Sequence, residues 1–553
     1  MAVLEAENLS IAFGDTPVVQ GVSFQIERGE TLALVGESGS GKSITALGLI
    51  GLLPRRAIRT SGRVMLGDTE VSSLDDAALR RIRGARIGMI FQEPMTSLTP
   101  VLTIGRQMTE ALVTHRRISM AQARLIAVEM LSRAGIGDAE RRLSQYPHEF
   151  SGGMRQRVMI AMMLALEPEL LIADEPTTAL DVTVQAQILD LMRNLTRQTG
   201  TSLLLITHDM GVVAEMADQV AVMRQGRIVE TDRVGHLFAH PHAAYTRDLL
   251  AAVPRMDAPV RTDAPPASDT PAISFSSIGR SFGGGGFLKR GPIHRALDAI
   301  FLSVGPAETV ALVGESGSGK STLGRIGARL DLNHEGSVRV GSTDVTALRG
   351  GALRRARGKV QIVFQDPFAS LDPRFTAGRT LAEPLALHGG LSGAALRAEA
   401  ARLLDRVRLS ASMIDRLPHE FSGGQRQRIA IARALAAAPK VIVADEPTSA
   451  LDVSVQSAVL DLLREIQDET GVAYLFITHD LAVVRAVAHR VAVMKAGSIV
   501  EVGSVAQVMD APEHPYTKAL LAAAPVPDPA RRAGRLSGPA QGVSAELLGR
   551  MNL

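Results

Sequence analysis

The 553-residue sequence contains no cysteine and no tryptophan, and aromatic residues make up only 3% of it. Without cysteine the chain cannot form disulfides, cysteine-ligated zinc sites or iron–sulfur clusters, and it cannot use a thiol as a nucleophile. Few aromatic side chains are present on which nucleic-acid bases could stack. The charge is nearly balanced, with 60 Lys and Arg against 57 Asp and Glu, so no electrostatic argument favours a nucleic-acid partner.

Long apolar runs are also missing. The longest charge-free apolar run has nine residues, 158–166, whereas a membrane-spanning helix needs about twenty. The first residues have neither the basic nor the apolar region of a signal peptide. Hydrophobic residues nevertheless make up 46% of the chain, which is ample for large cores. The composition predicts a folded, cytoplasmic-type protein that does not itself cross a membrane.

Four motifs occur twice in the chain. Gly36–Ser43, which reads Gly-Glu-Ser-Gly-Ser-Gly-Lys-Ser, recurs at Gly314–Ser321. The three other motifs, Ser151–Arg157, Ala173–Thr177 and Ile206–Asp209, each recur 271 residues later. So long a period indicates a duplicated domain and not a solenoid, whose repeats span about 20–50 residues. We therefore expect a first domain over 1–253, a linker over 254–271, a second domain over 272–525 and a tail over 526–553.

The segments outside the repeated domains have compositions of their own. Five prolines between 254 and 271 predict a semi-extended tether. Gly283–Gly286 indicates a second flexible stretch, inside the second copy and absent from the first. The tail is rich in Ala, Arg, Gly and Pro, and we expect it to be loosely ordered.

Within each copy the pattern alternates between strands and helices. Thr31–Val35, Leu170–Ala173 and Leu203–Ile206 are short apolar runs, which suit strands that are buried on both faces. A helix is predicted from Gly41 onward, and Ala186–Arg197 has a helical apolar spacing. The fold class is therefore α/β with a largely parallel sheet, and residues from about 94 to 168 form a mostly helical insertion.

The first repeated motif is a phosphate-binding loop. Gly-x-x-x-x-Gly-Lys-Ser after an apolar strand directs backbone N–H groups at phosphates. Lys42 or Lys320 neutralises the β- and γ-phosphates, and Ser43 or Ser321 reaches magnesium. The chain has seven lysines, and Lys42 is the only one among the first 288 residues, so a lysine here fits a need for a compact ammonium group. The predicted ATP-binding residues of the two loops are Gly36, Glu37, Ser38, Gly39, Ser40, Gly41, Lys42 and Ser43, and Gly314, Glu315, Ser316, Gly317, Ser318, Gly319, Lys320 and Ser321.

The other motifs supply candidate catalytic groups. Asp174 and Asp445 each end an apolar strand, where a carboxylate can hold magnesium. The glutamate that follows each of them can accept a proton from the attacking water. A histidine after a further apolar strand could donate a hydrogen bond to a γ-phosphate oxygen, and a glutamine after Phe91 or Phe364 suits water or magnesium positioning. These candidates are Glu175, His208 and Gln92 in the first copy, and Glu446, His479 and Gln365 in the second.

Together these motifs resemble the ATP-binding domains of ABC transporters, twice over, across residues of about 4–250 and 273–522. The resemblance implies an antiparallel β part in each copy besides the parallel core and the helical insertion. It also implies that each ATP lies between the phosphate loop of one copy and the signature motif of the other, as an intramolecular dimer. The matching residues are Ser151, Gly152 and Gly153 with Ser422, Gly423 and Gly424 for the signature, Asp181 and Asp452 for the D-loop, and Phe13, with Phe282 as its possible counterpart, for adenine stacking.

A narrower resemblance is to the bacterial dipeptide, oligopeptide and nickel importers. It is carried by Phe91–Leu98 and Phe364–Leu371, by Pro-His-Glu-Phe-Ser at 147–151 and 418–422, and by His514–Lys518. The first copy departs from the last motif and reads His-Pro-His-Ala-Ala-Tyr-Thr at 240–246. The resemblance implies an ATPase subunit that energises uptake of peptides or peptide-like solutes and uses ATP and Mg²⁺.

The same resemblance implies two integral-membrane permease subunits and an extracytoplasmic solute-binding protein as partners, with the chain at the cytoplasmic side of the inner membrane. The permease helices are expected to dock near Ser97 and Ser370. The alternative is a soluble tandem ATPase that acts on ribosomes, but such proteins carry a long, charged, helical linker. His236, His240 and His242 could form a metal site, although a solvated loop is the simpler interpretation.

Overall fold

The computed structural model describes residues 2–92, 97–178, 180–261, 268–283, 294–366, 370–449 and 451–536. The predicted flexible stretch after Gly283, the centre of the linker at 262–267 and the end of the tail lie outside the described residues. The same holds for parts of the two segments that follow Gln92 and Gln365, 93–96 and 367–369.

Each copy begins with a four-stranded antiparallel sheet, in the order β2-β1-β4-β5 or β12-β11-β14-β15. Val22, Phe24 and Ile26 alternate with exposed residues on β2, as expected for a sheet with one face on a core. The strands are β1 (Ala2–Phe13), β2 (Thr16–Glu27), β4 (Ala57–Leu66) and β5 (Thr69–Glu70), and β11 (Ile273–Phe282), β12 (His294–Val304), β14 (Glu335–Val340) and β15 (Thr343–Asp344).

A six-stranded sheet forms the centre of each copy, in the order β10-β9-β3-β8-β7-β6 or β20-β19-β13-β18-β17-β16. Neighbouring strands are parallel except for the hairpin at one edge of each sheet, β9–β10 or β19–β20, which is antiparallel. The strands are β3 (Thr31–Val35), β6 (Ile87–Ile90), β7 (Leu170–Asp174), β8 (Ser202–Ile206), β9 (Gln219–Arg224) and β10 (Arg227–Arg233), and β13 (Thr309–Val313), β16 (Val360–Val363), β17 (Val441–Asp445), β18 (Ala473–Ile477), β19 (Arg490–Lys495) and β20 (Ser498–Ser504).

This sheet order brings the repeated motifs together. The phosphate loop follows β3, the Asp-Glu pair ends β7 and the histidine follows β8, and these strands are parallel neighbours with every residue of β7 and β8 buried. Their carboxyl ends therefore meet at one edge of the sheet, where α/β proteins bind ligands. The predicted α/β class and the predicted buried strands are confirmed.

Helices cover the sheets and build the predicted insertion. Ile104–Arg116, Met120–Arg133, Ala139–Arg142 and Gly152–Leu164 form the insertion of the first copy, and Ala377–Gly389, Gly393–Arg406 and Gly423–Leu435 that of the second. The remaining helices are Lys42–Leu49, Asp76–Ile82, Val182–Thr199, Met210–Met216, Val234–Ala239, Ala244–Ala252, Lys320–Gly327, Gly350–Lys359, Val453–Thr470, Leu481–Val487, Val505–Asp510, Pro515–Ala523 and Pro529–Leu536. Among the described residues, no helix has both the length and the apolar character needed to span a bilayer.

The segments after each copy pack against the other copy. Met256 and Val260 of the linker pack on the hydrophobic cluster of the second copy, and Arg485 donates to the Ala258 carbonyl oxygen at 2.5 Å. In the opposite direction, Arg532 donates to Asp218 Oδ1 of the first copy at 2.8 Å. The described part of the linker is thus packed and is not a free tether. The prediction of a loosely ordered tail is wrong for 529–536, which form a helix whose Arg532 has this partner.

Candidate functional site

The phosphate loop of each copy is held by close backbone contacts. Gly36 has φ 147°, and a Cβ atom there would lie 2.2 Å from the Met223 carbonyl oxygen, so only glycine fits. Lys42 Nζ donates to the carbonyl oxygens of Gly36 at 2.7 Å and Glu37 at 2.9 Å. Burial lowers the pKa of Lys42. The ammonium group is therefore buried in a ring of oxygens, beside the turn where phosphates are expected.

The second loop repeats this arrangement. A Cβ atom on Gly314 would lie 2.1 Å from the Met494 carbonyl oxygen. Lys320 Nζ donates to Gly314 at 2.7 Å and to Glu315 at 2.8 Å, and burial again lowers the lysine pKa.

Beside each loop a hydroxyl and a carboxylate form an oxygen pair. Ser43 Oγ donates to Asp174 Oδ1 at 3.1 Å, and Ser321 Oγ donates to Asp445 Oδ1 at 2.9 Å. Burial raises the pKa of Asp174 to about 6, against the opposing hydrogen bond from Ser43, and burial also raises the pKa of Asp445. Oxygen ligands of this kind fit Mg²⁺, which binds through one or two carboxylate or hydroxyl groups plus phosphate.

Glu175 is held between the two other candidate residues of its copy. Its Oε1 lies 3.3 Å from His208 Nδ1, and its Oε2 accepts from Gln92 Nε2 at 2.8 Å and from Thr178 Oγ1 at 2.9 Å. Burial raises the pKa of Glu175, but the hydrogen bond and charge of His208 outweigh it and lower the pKa to about 2. Burial lowers the pKa of His208 and the same pairing raises it, with a net increase. The carboxylate of Glu175 is therefore ionised, and the pairing favours the protonated form of His208.

The second copy has the same group of side chains. Gln365 Nε2 donates to Glu446 Oε2 at 2.8 Å, and His479 Nδ1 lies 3.3 Å from Glu446 Oε1. The pKa shifts run in the same directions, with that of Glu446 lowered and that of His479 raised. The sequence motifs that were predicted to act together do lie together in both copies.

The backbone at both glutamates is strained. Glu175 has φ 48° and Glu446 has φ 49°, in the left-handed region that side-chain-bearing residues rarely adopt. Their amide groups donate to the carbonyl oxygens of Ile206 and Ile477, each at 2.9 Å. Such strain persists where the surroundings fix the chain, and it concentrates at functional sites.

The two candidate aromatic residues occupy matching strand ends. Phe13 ends β1 and pairs with Thr16, and Phe282 ends β11 and pairs with His294. Phe282 lines a cavity together with Ala296, Lys320 and Ser321. The structure therefore places Phe282 next to the second phosphate loop, as an adenine-contacting residue would have to be.

The signature residues cap their own helices. Ser151 Oγ and Ser422 Oγ each accept a backbone N–H of their helix, from Met154 and from Gln425. Leu180, next to the D-loop aspartate of the first copy, lines the cavity beside Lys320 of the second copy. The signature residues Ser151–Gly153 are not among the described residues that line this cavity. In this structure the second phosphate loop is therefore close to the D-loop of the first copy but not to its signature motif.

Contacts between the two copies run through the D-loop helices. Ser38 N–H donates to Asp452 Oδ1 at 2.6 Å, and Ser454 Oγ donates to Glu37 Oε1. On the other side, Thr183 Oγ1 donates to Glu315 Oε1 at 2.9 Å. Each phosphate loop is therefore in direct contact with the other copy.

Two tyrosines at the loops were missed by the sequence interpretation. The amide groups of Glu37 and Glu315 donate to the hydroxyl oxygens of Tyr245 at 3.2 Å and Tyr516 at 3.1 Å. A signal was present, because the pair Tyr-Thr at 245–246 recurs at 516–517 with the same 271-residue offset.

Comparison with known proteins finds matches along most of the chain. The family model "ABC transporter" matches residues 19–178 and 297–449, and "Oligopeptide/dipeptide transporter, C-terminal region" matches residues 229–292 and 500–546. The glutathione import ATP-binding protein GsiA of Shigella boydii serotype 4 (strain Sb227) is 48% identical over 568 residues, covering 96% of this chain and 90% of that protein. GsiA of Escherichia coli (strain K12) gives the same identity and coverage.

The chain is also similar to solved structures. An ATP-binding cassette in a dimeric post-hydrolysis state, bound to ADP and Pi, is 30% identical and covers 42% of this chain and 98% of its own, with a TM-score of 0.38.

Proposed function

The chain belongs to the ABC transporter family of ATP-binding proteins, and we propose that it is the ATP-hydrolysing subunit of a bacterial importer for peptides or peptide-like solutes. The chain is an ABC ATPase with two fused ATP-binding domains. The alternative action on ribosomes has no support among the matches. The observation that carries the proposal is the repeated glutamate, held between His and Gln beside a buried phosphate-loop lysine.

Hydrolysis follows from the positions of these side chains. Backbone N–H groups of the loop and the Lys42 ammonium group hold the phosphates once the lysine exchanges its carbonyl partners for phosphate oxygens. Magnesium, when bound by Ser43, Asp174 and Gln92, supplies positive charge at the β- and γ-phosphates. Glu175 then accepts a proton from the water that attacks the γ-phosphate, and the bond to ADP breaks.

The same roles apply in the second copy to Lys320, Ser321, Asp445, Gln365 and Glu446.

His208 and His479 determine when the catalytic glutamate of their copy becomes a strong base. While His208 is bonded to Glu175, the carboxylate has a low pKa and is a weak base. When His208 turns to a γ-phosphate oxygen, Glu175 loses that partner and becomes a stronger base.

Each ATP is proposed to lie between the phosphate loop of one copy and the signature of the other. Ser151–Gly153 then serves Lys320, and Ser422–Gly424 serves Lys42. Because the D-loop contacts already join the two copies at both loops, closing the sandwich requires a further movement of the signature helices onto bound nucleotide. Phe13 and Phe282 are the proposed adenine contacts, and the domain limits at 253 and 272 belong to this proposal.

An import ATP-binding subunit works with membrane permease subunits. We place the chain at the cytoplasmic side of the inner membrane, peripherally bound to two permease subunits that receive an extracytoplasmic solute-binding protein. The helical insertions, with the segments after Gln92 and Gln365, are the proposed docking surfaces.

A single-cysteine crosslink tests this proposal, since the natural chain has no cysteine to interfere. Val101→Cys, at a side chain 76% exposed just after Ser97, should capture a membrane subunit in whole cells. Phe301→Cys, 65% exposed on the antiparallel sheet, is the matched control and should not. Capture of ribosomal proteins at residue 101 would overturn the importer assignment.

A further inference from the structure

Three side chains from separate elements of the first copy converge on one point of its surface. Asp232 lies near the end of β10, His236 lies on the helix Val234–Ala239, and His242 lies in the loop that follows. One ligand atom from each lies within 4.8 Å of the other two. His236 Nδ1 lies 2.5 Å from Asp232 Oδ2, and its ring centroid lies 5.8 Å from that of His242.

We propose that Asp232, His236 and His242 form a binding site for a divalent transition-metal ion of the zinc or nickel type. Imidazole nitrogens with one carboxylate are the ligands that such ions prefer over Mg²⁺. The ligand atoms of a tetrahedral site lie roughly 3.4 Å apart, from metal–nitrogen bonds of about 2.1 Å. A metal here therefore requires side-chain rotations that open the 2.5 Å contact between His236 Nδ1 and Asp232 Oδ2.

The backbone around this cluster suits a metal site. Glu230 accepts the backbone N–H groups of His242 at 2.8 Å and Ala243 at 3.0 Å, which fixes the loop that carries the third ligand. His240, one helical turn after His236, adds an imidazole whose centroid lies 5.4 Å from the His236 ring.

The second copy provides an internal comparison. Its strand β20, the helix Val505–Asp510 and the loop after it repeat the first copy at the 271-residue offset, and Glu501 accepts the two equivalent amides. The three histidines and the aspartate of the first copy are all replaced there. Gly503 stands in place of Asp232, and Gln507, Ala511 and Glu513 stand in place of His236, His240 and His242. The same backbone therefore carries the ligand set in one copy only.

The histidine cluster coincides with the loss of a helix cap. In the second copy His514 Nδ1 accepts the Tyr516 amide at 3.1 Å and caps the helix Pro515–Ala523. The first copy has Ala243 there, which cannot cap. His240 and His242 lie just before Ala243, so a metal bound by the cluster would hold the start of the helix Ala244–Ala252 in place of the absent side-chain cap. It would do so three residues before Tyr245, whose hydroxyl contacts the first phosphate loop.

Titration of the nucleotide-free full chain with Co²⁺ tests the site, because histidine-ligated tetrahedral Co²⁺ absorbs strongly in the visible range and oxygen-ligated Co²⁺ absorbs weakly. We expect one equivalent to bind with the tetrahedral spectrum and to be displaced by Zn²⁺. Asp232→Asn and His242→Ala should each weaken binding by more than about tenfold, since loss of an outer-shell partner alone costs 10–100-fold. His514→Ala is the matched control and should bind Co²⁺ as the natural chain does.

The His236→Ala, His242→Ala double variant should lose the spectrum entirely, and the exposure of both side chains leaves the fold intact by circular dichroism. An unchanged spectrum and stoichiometry in that variant, or no tetrahedral Co²⁺ spectrum in the natural chain, would overturn the proposal. This readout does not depend on ATP hydrolysis, so its failure is separate from failure of the proposed function.

Discussion

Asp452 of the second copy contacts Ser38 of the first, with its Oδ1 accepting the Ser38 amide at 2.6 Å. The equivalent residue Asp181 instead accepts the amide of Val184 at 3.0 Å and so caps its own helix. One D-loop aspartate therefore reaches across to the opposite phosphate loop while the other stays within its copy. The two ATP sites differ in this structure even though their motifs match.

This difference predicts unequal effects of the two aspartates. Asp452→Ala should be tested in a Glu446→Gln background, where only the site on Lys42 turns over, and Asp181→Ala in a Glu175→Gln background. Because a hydrogen bond to a charged group contributes about 1.5–3 kcal/mol, Asp452→Ala should reduce kcat/KM for ATP by about tenfold or more. Asp181→Ala should cost less, and equal losses would contradict the asymmetry.

The sequence predicted the site residues well because each motif sits at the carboxyl end of a strand in a parallel sheet. β3, β7 and β8 could be identified as short apolar runs that suit buried strands, and the repeat supplied a second example of each. The contacts between copies could not be predicted, because they depend on which hydroxyl or carboxylate faces which loop. Thr183 and Ser454 look like ordinary helix-start residues, and only the fold places them against Glu315 and Glu37. The helix at Pro529–Leu536 was missed for the same reason, since its Arg532 partner lies in the other copy.

Replacing both glutamates, Glu175→Gln with Glu446→Gln, should abolish hydrolysis while ATP binding persists. Glutamine keeps the shape of the side chain but cannot accept the proton of the attacking water. Hydrolysis and nucleotide affinity should be measured on the same preparation. Near-normal turnover in the double variant would show that another group is the base.

The fall of kcat/KM for ATP at acid pH, which reports the nucleotide-free chain, should reflect Asp174 and not Glu175. In that state the pKa of Asp174 is raised to about 6, so this carboxylate takes up a proton as the pH falls through 6. Glu175 is still bonded to His208, with a pKa of about 2, and stays ionised. A protonated Asp174 cannot hold Mg²⁺, so activity should fall in that range. Since protons and Mg²⁺ compete for one oxygen, raising Mg²⁺ at subsaturating ATP should move this fall in kcat/KM to lower pH. A fall that does not depend on Mg²⁺ would point to a different group.

The paired signature glycines should respond differently to alanine. A Cβ on Gly153 would lie 2.6 Å from Val184 Cγ1, whereas a Cβ on Gly152 meets nothing within 4 Å. Gly153→Ala should therefore destabilise the fold by about 1–3 kcal/mol, with a Tm lower by several degrees. Gly152→Ala should leave the Tm unchanged and still slow hydrolysis, because the methyl group lies where the helix start must approach ATP. Full activity in Gly152→Ala would argue against the sandwich.

Met154 and Gln425 mark a second difference between the two sites. Gln425 Oε1 accepts the Ser422 amide at 3.0 Å and completes a capping box at the signature, whereas Met154 packs on the hydrophobic core of the helical insertion. The signature that serves Lys42 is thus fixed at both ends of its first turn, and the signature that serves Lys320 is not. A capping interaction contributes about 1 kcal/mol, which corresponds to a severalfold change in rate and not to a silent site. Glu446→Gln, which leaves the Lys42 site working, should therefore retain more transport-coupled hydrolysis than Glu175→Gln.

Exchange of the two side chains separates this effect from that of the D-loop. Met154→Gln in the Glu175→Gln background should raise hydrolysis at the Lys320 site, because glutamine can reach back to the Ser151 amide. Gln425→Met in the Glu446→Gln background should lower hydrolysis at the Lys42 site by a similar factor. If neither exchange changes the rate, the cap has no part in the asymmetry and the Asp452 contact alone accounts for any difference between the two glutamate variants.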